Sequence, residues 1–126
     1  MPGTERRRSV RYSVKKCTAR FRRRRLLLFF EGDAHRGPIV DLSSRGLGFL
    51  TKRTLTPGDV ILITFEIPYD IYAMPPGFKL KARVKWIDAA GEDPKLKRVG
   101  CAFHNLKHDE HELITRIIRY GILRER

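Results

Sequence analysis

Between Phe78 and Ile87 the chain alternates strictly, with Leu80, Ala82, Val84 and Trp86 on one side and Lys79, Lys81, Arg83 and Lys85 on the other. A period of two sends successive side chains to opposite faces of an extended strand, so this segment dries one face and wets the other. Such a strand needs a sheet and a shared core. Ala19 and Phe21 alternate with Thr18, Arg20 and Arg22 in the same way, and the β-prone run Leu26 to Phe30 follows as strand. Glu31 to Gly37, with two glycines and an Asp, reads as a turn, and Ile39-Val40 as the next strand. Leu47 to Thr51, Val60 to Phe65 and Val99 to Phe103 complete the set. Thr56-Pro57-Gly58-Asp59 and Gly91 to Pro94 form turns between them, and Pro68 stops the fourth strand.

After the last strand, Asp109 and Glu112 give a capping-box-like start to a helix over about 109–123, with Leu113, Ile114, Ile117, Ile118 and Ile122 on one side. Turn signals recur at short intervals with no helices between the strands, which favours an antiparallel sheet closed on itself over a parallel one. The expected fold is therefore all-β with a terminal helix: a six-stranded antiparallel β-barrel over 16–126. Tyr69 to Gly77 reads as a connector. Residues 1–15 have almost no apolar periodicity and carry the repelling charges of Arg6, Arg7, Arg8 and Arg11, so they read as a flexible basic arm.

Charge narrows the partners. With 27 Lys and Arg against 14 Asp and Glu, the net charge is +13, and the excess is concentrated towards the amino terminus. That favours a polyanionic partner. The Arg22 to Arg25 run reads as a charged strand face that discourages edge pairing. No run reaches the length of a membrane span, and Met1 to Arg8 has no apolar segment behind it like a secretory signal, so a cytoplasmic location is expected. Cys17 and Cys101 stand alone and read as reduced packing residues. His104, His108 and His111 lack a separate rigid ligand for a metal, and no nucleophile–base constellation or P-loop stands out. Neither an enzyme nor a metal or cofactor is expected.

Two elements stand out as a pair: Arg7-Arg8-Ser9-Val10-Arg11 in the arm and Asp41-x-Ser43-x-x-Gly46 between two strands. In that order they resemble the R-x-x-x-R and D/N-x-S-x-x-G motifs of the PilZ domain. The resemblance continues through Val84-Lys85-Trp86 and Gly100-Cys101-Ala102-Phe103 and so covers nearly the whole chain. It implies a PilZ-like barrel and a receptor for cyclic di-GMP. The residues suit that ligand. Arginine forks onto guanine O6 and N7 or a phosphate and also stacks on a base, which makes Arg7 and Arg11 the expected contacts. An ionised Asp41 accepts hydrogen bonds from a guanine edge, Ser43 offers a hydroxyl, and Gly46 permits positive φ or close backbone approach.

Arg6 and Arg8 are secondary candidates, and Trp86 is a tentative stacking face. The resemblance further implies that the ligand orders the arm over the barrel and so changes the surface offered to an unknown downstream protein. Two alternatives stay open: a basic nucleic-acid-binding protein, and a PilZ-like interaction protein without nucleotide binding. Monomer and homodimer are both compatible with the sequence.

Overall fold

Strand β1 (Thr18–Leu26) is paired on both sides, and this closes the fold. Along one side it runs antiparallel to β3 (His35–Leu42), and along the other to β5 (Val60–Glu66), from Thr18↔Glu66 to Arg23↔Ile61. With β4 (Gly46–Thr51), β6 (Lys79–Ala89) and β7 (Lys97–Phe103), the order β1-β3-β4-β7-β6-β5 returns to β1 as a closed six-stranded antiparallel barrel. A seventh strand, β2 (Phe29–Phe30), pairs only with the far end of β1, outside the closure. The chain ends in α1 (His108–Glu125). The computed structural model describes residues 17–26, 29–66 and 79–125, except for the side chains of 26 and 120–125.

Inward positions are apolar and dry. Phe21, Phe49, Leu42, Leu47, Ile61, Ile63, Val84 and Val99 are fully buried, with the Phe21 and Phe49 rings 4.9 Å apart. Ile114, Ile117 and Ile118 of α1 join the same cluster, so the helix contributes one apolar face to the barrel's core. Tight turns set the register. At Thr56 to Asp59, Gly58 takes φ +100°, the Asp59 amide donates to Thr56 O, and the Asp59 carboxylate accepts from the Thr56 amide.

Several details differ from the sequence reading. The apolar run Leu26 to Phe30 is not one strand: β1 ends at Leu26 and β2 starts at Phe29, antiparallel to it, so the chain reverses between them. Gly37 lies inside β3, where an added Cβ would sit 1.8 Å from Leu50 O; it serves a close strand crossing and not a turn. Arg22 and Arg23 guard no edge, because β1 is hydrogen-bonded to β5 along that stretch.

The helix begins at His108. Its cap is formed by Glu110, whose carboxylate accepts from the Lys107 amide at 2.8 Å, while Glu112 pairs instead with His108. The connector at 69–77 lies outside the described residues.

Two outcomes follow from this packing. Phe21→Ala should lose about 3–5 kcal/mol in urea unfolding, because a ring at the centre of a closed barrel leaves a cavity its neighbours cannot fill. A loss below about 1 kcal/mol would contradict that central position. Cys17 and Cys101 are buried cysteines, and burial pushes the Cys17 pKa up. A maleimide at neutral pH should therefore label neither in the native protein and both in denaturant.

Candidate functional site

Two β-bulges place the most distinctive side chains of the chain on the outside of the barrel. In β3, Ile39 faces Phe49 and Asp41 faces Gly48, so one extra residue, Val40, sits between the pairs. Strict alternation would send Asp41 to the core with Ile39. The extra residue instead turns Asp41 outward and leaves Leu42 facing in. In β6 the pairs Val84↔Cys101 and Trp86↔Gly100 leave Lys85 in excess, and Trp86 turns outward in the same way. The sequence alternation that grouped Trp86 with Leu80, Ala82 and Val84 breaks at this point.

The bulges align a row across four strands: Asp41 on β3, Gly48 on β4, Gly100 on β7 and Trp86 on β6. The two end residues lean inward over the two glycines. A Cβ on Gly48 would meet both Asp41 carboxylate oxygens at 3.0 and 3.1 Å, and one on Gly100 would fall 2.1 Å from Trp86 Cε2. Glycine is needed here because the space above its Cα is already occupied. Arg98 lies two residues before Gly100 on the same face of β7. Its guanidinium forms an ion pair with Asp41 Oδ2 and lies 5.7 Å from the centre of the Trp86 ring. Carboxylate, guanidinium and indole therefore form one continuous surface over a floor without side chains.

The loop after Asp41 is held by Ser43. Its hydroxyl accepts from the Arg45 and Gly46 amides at 3.2 Å each and donates to Gly46 O at 3.3 Å, and the residue is 1% exposed. The structure thus places the Ser43 hydroxyl inside the loop, where it fixes the chain reversal. Gly46 has no positive φ; an added Cβ would lie 1.9 Å from Cys101 O, so the residue permits β4 to approach β7. Arg45 O in turn accepts from the Phe103 amide at 2.7 Å.

Of the expected site residues, Asp41, Ser43 and Gly46 share one strand end, and Asp41 and Trp86 share the outer row. Arg6, Arg7, Arg8 and Arg11 lie outside the described residues. Arg98, Gly48 and Gly100 were not singled out from sequence as site residues. Glycines inside strands are the signal that points to the latter two; Arg98 has no local signature beyond its charge.

Chemically, the row offers a desolvated acceptor at Asp41, donors at Arg98 and an aromatic face at Trp86. That combination suits a planar ring with N–H groups on one edge and a neighbouring negative charge. Because Trp86 is the sole tryptophan, its emission reports on this surface alone. Gly100→Ala should displace the indole, red-shift its emission and reduce the near-ultraviolet circular dichroism. An unchanged spectrum would contradict the ring's position over Gly100.

The family model described as PilZ domain matches residues 5–120. No curated protein sequence matches the chain. Among solved structures, the PilZ domain with c-di-GMP of YcgR from Escherichia coli superposes with a TM-score of 0.67 at 21% identity, covering 96% of this chain and 95% of that one. The MrkH-c-di-GMP complex of K. pneumonia gives 0.68 at 19% identity, covering 95% of this chain and 53% of MrkH. The Bacillus subtilis inhibitor of motility, MotI/DgrA, gives 0.62 at 12% identity, with 95% and 51% covered. This chain spans about half the length of the latter two.

Proposed function

Because the chain belongs to the PilZ domain family, we propose that it is a receptor for cyclic di-GMP and acts in the cytoplasm by binding, not by catalysis. One observation carries this reading: the bulges in β3 and β6 bring Asp41 and Trp86 onto a single outer row floored by Gly48 and Gly100. A guanine edge presents N–H donors to Asp41, and its ring lies against the indole face. The PilZ domain of YcgR with c-di-GMP and the MrkH-c-di-GMP complex support the ligand class.

In this reading the Asp41 carboxylate is held by Arg98 until a guanine edge competes for it. Arg98 then stays beside Trp86, where its charge faces a ligand phosphate. Arg7 and Arg11 approach from the arm at 1–15 and fork onto guanine or phosphate, with Arg6 and Arg8 adding field. Ser43 and Gly46 contribute by holding the loop that carries Asp41. Binding orders the arm over the barrel. The ligand's differential contacts offset the ordering cost, and the closed surface is what a downstream protein recognises.

Titration calorimetry with cyclic di-GMP tests this. The native protein should bind saturably, and Arg7→Ala, Arg11→Ala and Asp41→Ala should each cost about 1–3 kcal/mol. Unchanged affinity in the three variants would remove the mechanism. Binding that ignores guanine, yet falls with salt at a slope of about 0.9 per neutralised phosphate, would identify a generic nucleic-acid binder instead.

A further inference from the structure

The dry interior does not reach both ends of the barrel. At one end Gly46, just past the Ser43 loop, stands opposite Ala102. At the other, Thr51 stands opposite Lys97, and Lys97 opposite Ala89. Thr51 and Val99 are buried on the inner side, so the alternation of β7 sends Lys97 inward as well. The extra residue Lys85 has the matching effect in β6: Ile87 follows the outward Trp86 and meets Val99 from within. Yet Ile87 and Lys97 are only half-buried. Two inward positions keep contact with water because the barrel mouth is open here.

A cavity of about 380 Å³ occupies this mouth. Its apolar lining comes from Ile87 and Val99 on the strands and from Leu55 on the β4–β5 connection. Around them stand the cations Lys52, Arg53, Lys95 and Lys97, and no side-chain carboxylate lines the space.

Two of these cations are already matched. Lys52 pairs with Asp93 at 3.4 Å, and Arg53 pairs with Glu31. Lys95 and Lys97 have no ion-pair partner among the described residues. Asp93 is the acid nearest to them in sequence, and it is committed twice, accepting from the Lys95 amide at 2.9 Å as well as pairing with Lys52. The mouth thus joins an apolar wall to two unmatched positive charges.

We propose that the open mouth is a second ligand site, for a small amphiphilic anion whose apolar body enters the barrel and whose acidic group pairs with Lys95 and Lys97. An apolar cavity of about 150 Å³ holds benzene, so this one has room for two fused rings or a short acyl chain. The lining decides the class of ligand. An uncharged apolar molecule leaves both lysines unmatched, and a nucleic-acid strand satisfies the rim without reaching Ile87 and Val99. The guanines of cyclic di-GMP find no carboxylate here for their N–H donors. This site is separate from the outer row of Asp41, Gly48, Gly100 and Trp86, because Lys97 and Arg98 are neighbours in the chain that point to opposite faces of β7.

The test uses the full chain and anilinonaphthalene sulfonate, a fused-ring anion whose emission rises in apolar surroundings. The emission should rise saturably, with one dye per chain. Lys95→Gln and Lys97→Gln should each weaken binding about fivefold, and the double variant more than about tenfold. Ile87→Asp, which puts a carboxylate into the mouth, should abolish binding. Naphthoate should displace the dye, and uncharged naphthalenemethanol at the same concentration should not. An unchanged thermal melt would show that each variant is folded.

The absence of a saturable rise, or native affinity in the double lysine variant, would overturn the proposal. So would displacement of the dye by cyclic di-GMP, which would put it on the outer row, or loss of the signal in Phe29→Ser, which would put it on the exposed Phe29. A DNA duplex that displaces the dye where naphthoate does not would make the rim a polyanion contact instead.

Discussion

The pairing of β1 with β5 is the constraint on which the rest of the structure depends. Without it, the six strands form an open sheet whose end strands present unpaired amides and carbonyls, and whose concave face stays wet. With it, Phe21, Ile61 and Ile63 meet the residues of β4, β6 and β7 in one dry interior. Everything polar must then lie on the convex outside, at the strand ends or in the connections. A ligand surface on such a barrel has to be built from outward-facing side chains, and that surface is ordinarily convex and crowded with long charged residues.

Gly48 and Gly100 lower that surface locally, and the bulges supply what surrounds the depression. Neither alone suffices. Glycines side by side on an outer face would only expose backbone, and an outward Asp41 or Trp86 over residues with side chains would stand away from the sheet. Together they let the carboxylate and the indole lie flat, with Arg98 between them in contact with both. The ion pair also explains how a carboxylate that is mostly shielded from water is tolerated on a barrel wall.

Much of this was legible beforehand, for identifiable reasons. The alternation of Leu80, Ala82 and Val84 with lysines and arginine located β6, and the Pro57-Gly58 pair located the turn before β5, because both signals are local and arise from backbone sterics. Asp41 and Gly46 were legible as a motif. Their physical service was less so: Gly46 was open to two explanations, and only the nearness of Cys101 O decides between them. The bulges were hidden because period-two counting assumes that every residue advances the pairing by one, and Val40 and Lys85 do not. The reversal inside Leu26 to Phe29 was hidden for the opposite reason: it lacks the residues by which turns are recognised. Arg98 carries no pattern of its own; its partner lies 57 positions away in the chain.

Each bulge makes strand length a part of the site. Val40 and Lys85 could be deleted with little change in composition or core volume, yet the loss of either would rotate Asp41 or Trp86 through the sheet to its other side. Related chains that differ here by one place would share a domain and lack the surface. In an alignment of such chains, a gap moved by a single column within β3 or β6 would mark the loss of this chemistry.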